Sequence, residues 1–583
     1  MAIRQRRPDD PAEIAEEYRR GVRYKQGMGV RGMYEQNRMN ERFFAGDQWY
    51  GANCGSDRPL ARYNVIKRIG DYKMAVIGGS PLTVRYTAEG VPNTLGDKEA
   101  VRLLRKTAAG GGYAAPEGGL PGNEEINLVM SALSDYFGVT AERVKFDDLK
   151  GRVLRDAYQS GTGLLYTYWD PQVRTGLYAG GRKGTPVTGD IVCETLEIEN
   201  VYFGDPGLDD LQAQPYILIA QRKSVAEVRE EARRNGAEPS ELGRIRAEEA
   251  APLTPAGETE EEQRTTVLTR FWKERDAQGN TAVLAVRVCG DAVVRRTWNT
   301  GIRLYPLAKF GWEPRRGCAY GDSEITYLIP NQIAINRMLT ADVWSAMMTG
   351  MPLMLVNGDV VPGEVTNDPG QILRIYGSAE EAAGAVRYVA PPGGSPFEAL
   401  IDSMIRHTLD QAGANEAALG DMRPNNTSAI LALREAATLP LQPVQERFYS
   451  FCEDTARIWA EFWVMLYGDR QLKIEDESGT WYFPFRAERY RDLLISTRVD
   501  VGGSILWNET QTVQMLDKLL DKGVIDGIQY LQRLPKGAVA EREGLIRELQ
   551  ARQTAQDGET LPGGQAGTAD TIPRARAQKR VQK

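Results

Sequence analysis

Residues Tyr320–Val356 read YGDSEITYLIPNQIAINRMLTADVWSAMMTGMPLMLV, and the rest of the chain is interpreted around them. Asp322 and Ser323 offer side-chain oxygens to the free N–H groups of a first helical turn. Ile325, Leu328, Ile329, Ile333, Met338, Leu339, Val343, Ala346 and Met347 then recur at steps of three and four, which predicts an apolar stripe along one long helix. Pro330 predicts either a kink or the start of a new helix with proline in its first turn. Gly350 and Pro352 predict the end. From Asn331 onward such a helix would be about 30 Å long at the usual helical rise.

The chain has 583 residues, which predicts two to four subdomains rather than one core. Hydrophobic residues make up 42% and charged residues 26%, the balance of a globular protein. No run of eighteen apolar residues suggests a membrane span. The opening MAIRQRRPDDPAEIAEEYRR is too charged for the apolar core of a signal peptide. Cys54, Cys193, Cys289, Cys318 and Cys452 lie far apart with no CxxC pair, which predicts free thiols in a cytosolic chain.

The only histidine is His407, within the helical pattern FEALIDSMIRHTLDQAG. Triads, Cys/His zinc sites and HExxH metalloproteases need more histidine than this, or histidine placed elsewhere. Paired acids at Asp147–Asp148 and Asp209–Asp210 leave a carboxylate metal site open, against the plainer reading of solvated charges. GxxxxGK[ST] is absent, Gly161-Thr162-Gly163 lacks a third glycine at the right step, and GxSxG is absent. No specific enzyme is supported and no cofactor is expected. The net charge of −7 argues against a surface that grips nucleic acid tightly, but not against DNA sliding past.

Along the chain, residues 12–42 predict polar helix, with Phe43, Phe44 and Trp49 gathered around a helix-ending Gly46. Asn64 predicts the cap of NVIKRIGDYKMAVIGG, followed by the strand LTVRY. AAGGGYAAPEGGLPGN predicts a mobile loop. Two helices, EEINLVMSALSDYF and ERVKFDDLKGRVLRDAYQSG, lead to the strand LLYTYWD and another at Ile191–Ile198. Ser224–Arg246 predicts a charged helix. TTVLTRFWKE, NTAVLAVRVCG and DAVVRRTWN predict a small antiparallel sheet. Strands follow in PLMLVNGDV and GQILRIYG, then a helix to about Gly413 and another, SAILALREAATL, capped by Ser428. The aromatics of FYSFCEDTARIWAEFWVMLYG fall at helical spacing and predict core. Asn508 with Gln511 predicts a helix start, Gly523 its stop, and DGIQYLQR and AEREGLIRELQAR two further helices. The tail from about Thr554 is basic at its end and predicts disorder.

Several stretches, in this order, resemble tailed-bacteriophage portal proteins: RFFAGDQW with RPLARYNVIKRIGDYK, RVLRDAYQSGTGLLYTYWD, ETLEIENVYFGD, YGDSEITYLIPNQIAINRM, GDMRPNNTSAILALREAA and TVQMLDKLLDKGVIDGIQYLQRLPKG. Together they span Arg42–Gly537. The resemblance implies an α+β, mainly helical subunit with a mixed α/β wing, a helical stem, a small β-containing clip and a C-terminal helical crown. It implies a wing over residues 12–223, stem helices at 224–249 and 319–351, and a clip at 250–318. The tunnel-loop region and return to the wing would be 352–505, the crown 506–552, and a disordered basic tail 553–583.

The function implied is a ring, normally of twelve subunits, at one vertex of a phage head, through which double-stranded DNA is packaged and ejected. Its partners would be further copies of itself, the terminase large subunit, a head–tail adaptor and the major capsid protein or scaffold, in the host cytoplasm and then the virion. Pro391, Pro392, Gly393, Gly394 and Ser395 are the expected channel-narrowing loop, and Glu260, Glu261 and Glu262 the expected motor-facing acids. Ile333, Met338, Leu339, Val343 and Met347 are the expected stem packing residues. The alternatives are another ring-forming virion or adaptor protein, or a nucleic-acid-processing packaging enzyme, which the missing phosphate loop disfavours.

Overall fold

The computed structural model describes residues 9–49, 60–79, 82–92, 122–178, 186–248, 263–275, 279–349, 353–361, 374, 376–384, 386–389, 397–414, 439–476, 479–501, 513, 516–534, 545 and 549. Helices and strands alternate around a shared core, an α+β architecture with more helix than strand. Met1–Val501 forms one compact unit and Gly502–Lys583 a second.

Helix α1 (Pro11–Gln26) starts on Asp10, whose side chain accepts from the Ala12 N–H, and has a proline in its first turn. The single helical stretch expected over residues 12–42 is broken before α2 (Met33–Ala45), where Gly29 and Gly32 take φ of 64° and 80°. Gly46 ends α2 at φ 99°, as its position predicted. Asn64 caps α3 (Val65–Gly78), accepting from the Lys67 N–H at 2.9 Å. Strand β1 (Leu82–Ala88) follows.

Two long helices, α4 (Asn123–Val144) and α5 (Phe146–Ser160), meet at Lys145, the one described non-glycine residue at positive φ. Gly161, at φ 82°, then opens β2 (Thr162–Tyr178). A Cβ at Gly161 would strike the Gly321 carbonyl, and one at Gly163 the Val153 carbonyl. These glycines therefore permit close backbone packing.

Strand β3 (Pro186–Leu196) pairs antiparallel with β2, and β9 (Leu307–Gly311) flanks β2 on the other side. Strands β4 (Val201–Phe203), β5 (Tyr216–Ser224), β6 (Arg264–Arg275), β7 (Thr281–Cys289) and β8 (Ala292–Asn299) form a five-stranded antiparallel sheet in that order. The last three were expected. They are joined by β5, which pairs with β6 from Tyr216↔Trp272 to Ser224↔Arg264. The stretch Ser224–Arg246, expected as one helix, is instead α6 (Val225–Arg234) and a one-turn α7 (Pro239–Leu242). Gly236 at φ 79° and Pro239 break it. Val225, Val228, Ala232 and Ile245 thereby all reach Val267, Cys289, Ala292 and Val294 on the sheet.

Helix α8 (Glu324–Thr349) runs 26 residues with Pro330 inside it, so the proline does not begin a new helix; it removes one N–H from the ladder. Beyond it, β10 (Leu353–Val356) pairs with β11 (Val386–Val389), after the short α9 (Ala379–Gly384). Helices α10 (Glu398–Gln411) and α11 (Gln442–Leu466) were both expected. His407 lies exposed on α10.

The aromatics of α11 are core, as their spacing predicted. Phe448, Phe451, Trp459, Phe462 and Trp463 are all buried, and Trp459 packs against Phe137 and Phe146 at centroid distances of 5.0 and 5.2 Å. Strands β12 (Asp469–Asp476), β13 (Gly479–Arg486) and β14 (Ile495–Val501) were not anticipated. The last pairs with β1 from Leu82↔Val501 to Ala88↔Ile495, joining distant parts of the chain. In the second unit, Gly523 takes φ 65° and α12 (Gly527–Arg533) starts on Asp526.

Cys193, Cys289, Cys318 and Cys452 are free thiols. Cys54, the loop over residues 108–121, Glu260–Glu262, Pro391–Ser395, most of GQILRIYG, the helix expected from Ser428, the Asn508 start and the tail all lie outside the described residues.

Candidate assembly surface

The N-terminal half of α8 is fixed into the core by polar side chains, of which Ser323 takes the capping role expected of it and the others lie outside the apolar pattern. Ser323 Oγ accepts from the Ile325 N–H at 3.2 Å and donates to the Tyr158 carbonyl at 2.6 Å. Glu324 forms a buried ion pair with Lys73 of α3 at 2.5 Å and accepts from Trp312 Nε1 at 3.2 Å. Removing one partner of such a pair leaves a desolvated charge, at a cost of about 3–5 kcal/mol.

Two turns later, the buried Gln332 caps α3 from outside that helix. Its Oε1 accepts from the Val65 N–H at 3.0 Å, and its Nε2 donates to the Tyr63 carbonyl at 2.6 Å and to Asn336 Oδ1 at 3.0 Å. Asn336, also buried, accepts from the Tyr63 N–H at 3.1 Å and donates to Gln48 Oε1 at 2.7 Å. Each of these amides is thus supplied with partners away from water, the condition under which buried polar groups are tolerated.

The face these residues define continues past the point where the core stops covering it. At roughly 100° per residue, Ile325, Leu328, Ile329, Gln332, Ile335 and Asn336 share one face with Leu339, Val343, Ala346 and Met347. The first six are buried; Leu339 is half-buried, Val343 is 39% exposed and Met347 61%. Beside them runs the segment 60–64, tied to α8 where the Ala61 N–H donates to Thr340 Oγ1 at 3.1 Å. That segment adds Leu60, 39% exposed, and Tyr63, 42% exposed. Exposed apolar side chains grouped in this way make this face a candidate for contact with another molecule.

The five residues expected to pack the stem therefore divide. Ile333 and Leu339 rest against the chain's own core, Met338 is half-buried on a flank, and Val343 and Met347 face outward. The fully buried line continues from Ile325, Leu328 and Ile329 through Gln332, Ile335 and Asn336, with Ile333 and Met338 of the apolar spacing only half-buried on its flanks. The signal that could have found it was a pair of amides four residues apart on an otherwise apolar face.

The paired acids take ordinary roles. Asp147 pairs with Lys150 at 2.6 Å in the first turn of α5, and Asp148 lies in the same turn. Asp209 pairs with Lys309 at 2.5 Å, and Asp210 accepts from the Gln212 N–H at 2.8 Å. Asp209 and Asp210 border a cleft of about 470 Å³ shared with Arg447 and Asp454. Burial raises the Asp454 carboxyl above its usual range, against the opposing charge of Arg457. Among the described residues, no group of three or more His, Cys, Asp or Glu side chains is placed to hold a metal ion, and no helix is long and apolar enough to cross a membrane. No protein-family model matches this chain, and no curated protein matches it.

Proposed function

We propose that this chain is the subunit of a phage portal: a ring, normally of twelve copies, through which double-stranded DNA enters and leaves a capsid. The observation that carries the reading is the apolar face of α8, which is buried over its first half and exposed at Val343 and Met347 over its second. A neighbouring copy lying across that face, with Leu60 and Tyr63, would gain about 1 kcal/mol for each of these side chains, which are only partly exposed to begin with. Repeated around a closed ring, one such contact per subunit multiplies into a stable assembly. The portal-like order of motifs along the chain supports the same reading.

The mechanism is geometric and electrostatic. A net charge of −7 per copy keeps phosphates from being held, so duplex slides with little resistance. Translocation is driven by a separate terminase motor, and the assembled ring later receives an adaptor and tail. On this reading Pro391–Ser395 narrow the channel and Glu260–Glu262 face the motor.

The test is the double substitution Val343→Asp with Met347→Asp, followed by light scattering on the full chain. Oligomers in the parent protein and monomers in the variant, with unchanged circular dichroism, are expected. Oligomers of equal mass from both proteins would contradict the reading.

A further inference from the structure

Two Asn-Gly pairs occur in the chain, Asn235-Gly236 and Asn357-Gly358. In such a pair the glycine backbone nitrogen can attack the asparagine Cγ, because no Cβ on the second residue stands in the way. The fold holds the two pairs in opposite states.

Asn235 ends α6, and Gly236 follows it at φ 79°. The Gly236 N–H donates to the Arg233 carbonyl at 3.1 Å, and Asn235 Nδ2 donates to the Val294 carbonyl of β8 at 3.4 Å. The nitrogen that would attack and the amide nitrogen that would leave are therefore both engaged.

Asn357 follows β10 and opens the turn over residues 357–361. Its carbonyl accepts from the Val360 and Val361 N–H groups at 3.1 and 3.0 Å, and both valines are buried, so the turn is anchored on one side. Asn357, Gly358 and Asp359 are exposed. The Asp359 N–H donates to Asn357 Oδ1 at 3.1 Å. That bond closes a turn-like ring containing both Cγ and the Gly358 nitrogen, which keeps the reacting atoms near one another. It also places a donor on the oxygen where negative charge develops during attack. The Gly358 N–H and Asn357 Nδ2 make no hydrogen bond among the described residues. A Cβ on Gly358 would meet nothing within 4 Å.

We propose that Asn357 is a site of spontaneous backbone-assisted deamidation, and that Asn235 is protected from it. The Gly358 nitrogen loses its proton to solvent base and bonds to Cγ; the Cγ–Nδ2 bond breaks and ammonia leaves. Water then opens the cyclic imide at either carbonyl, giving aspartate or isoaspartate at this position. The product carries one further negative charge, and the isoaspartyl form adds a backbone carbon to the turn that holds Val360 and Val361. The inference does not depend on ring formation, because every group it uses belongs to one copy.

The test incubates the full chain at pH 8, folded in buffer and unfolded in guanidinium chloride, and follows aspartate and isoaspartate at both asparagines by peptide mapping. Unfolded, the two pairs should convert at comparable rates. Folding should slow Asn235 roughly tenfold or more, since a hydrogen bond must break before Gly236 attacks, and leave Asn357 close to its unfolded rate. Gly358→Ala, which the open space there admits, should slow Asn357 in both states without lowering the melting temperature. Protection of Asn357 by folding as strong as that of Asn235 would overturn the proposal. So would a Gly358→Ala chain that converts as fast as the parent, because the backbone nitrogen would then not be the attacking group.

Discussion

Gln332 uses both ends of its amide on a neighbouring segment, and it sets where α8 leaves the core. Replacing it with leucine keeps most of the volume but removes the acceptor of the Ile66 N–H at 3.4 Å and leaves the Val65 N–H and the Tyr63 carbonyl only their bond to each other, at 3.0 Å. Gln332→Leu should therefore lose about 1–3 kcal/mol in chemical denaturation, and Gln332→Glu more, because its buried carboxylate faces the Tyr63 carbonyl and Asn336 Oδ1 with no N–H to donate. A loss below about 0.5 kcal/mol would mean that the cap is dispensable. Asp156 makes a prediction of opposite sign. Burial first, and then the charge of Glu197, raise its carboxyl to about 6. An acid whose folded pKa lies above its unfolded value favours folding less as pH rises from the unfolded pKa to the folded one, and its full penalty stands above the latter. Asp156→Asn should then raise the melting temperature by a few degrees at pH 8 and leave it unchanged at pH 3. Equal effects at both pH values would show that the carboxyl is not destabilising.

At the level of elements, what was legible in the sequence follows from the kind of signal each element carries. The helix from Gln442 announces itself through Phe448, Phe451, Trp459 and Trp463, because bulky residues at helical spacing have few other uses. Asn64 and Gly46 were readable because caps and left-handed stops depend on their own chemistry. Strand β14 was not, since it is defined by a partner more than four hundred residues away, at β1; the local hairpin of β12 and β13 was missed although its strands pair only with each other. The break at Gly236 was hidden by the continuous charge of the stretch around it. In α8 the length was legible, but the line of burial was not: Gln332 and Asn336 read as polar interruptions until Tyr63 and Gln48 are seen opposite them. The same element carries a further prediction. Lys73→Met should destabilise by about 3 kcal/mol or more, because it leaves the Glu324 carboxylate unpaired in the core, and Lys73→Met with Glu324→Gln should recover much of that loss. A double variant no more stable than the single would show that packing, not the stranded charge, is responsible.

For the whole molecule, the proposed assembly joins two properties that a monomer has no use for together. One is an apolar helical face that the chain's own core covers only in part, ending at Val343 and Met347. The other is an acidic overall charge that would keep DNA moving through an enclosed hole. On this account the ring hydrolyses no nucleotide itself, so purified protein with duplex DNA should release no phosphate from ATP above a buffer control; DNA-stimulated release would favour a packaging enzyme. Negative-stain imaging of the purified full-length chain tests the central claim most directly. The account predicts annular particles with a central opening wide enough for duplex DNA. A field of separate single subunits, at every protein and salt concentration tried, would contradict it.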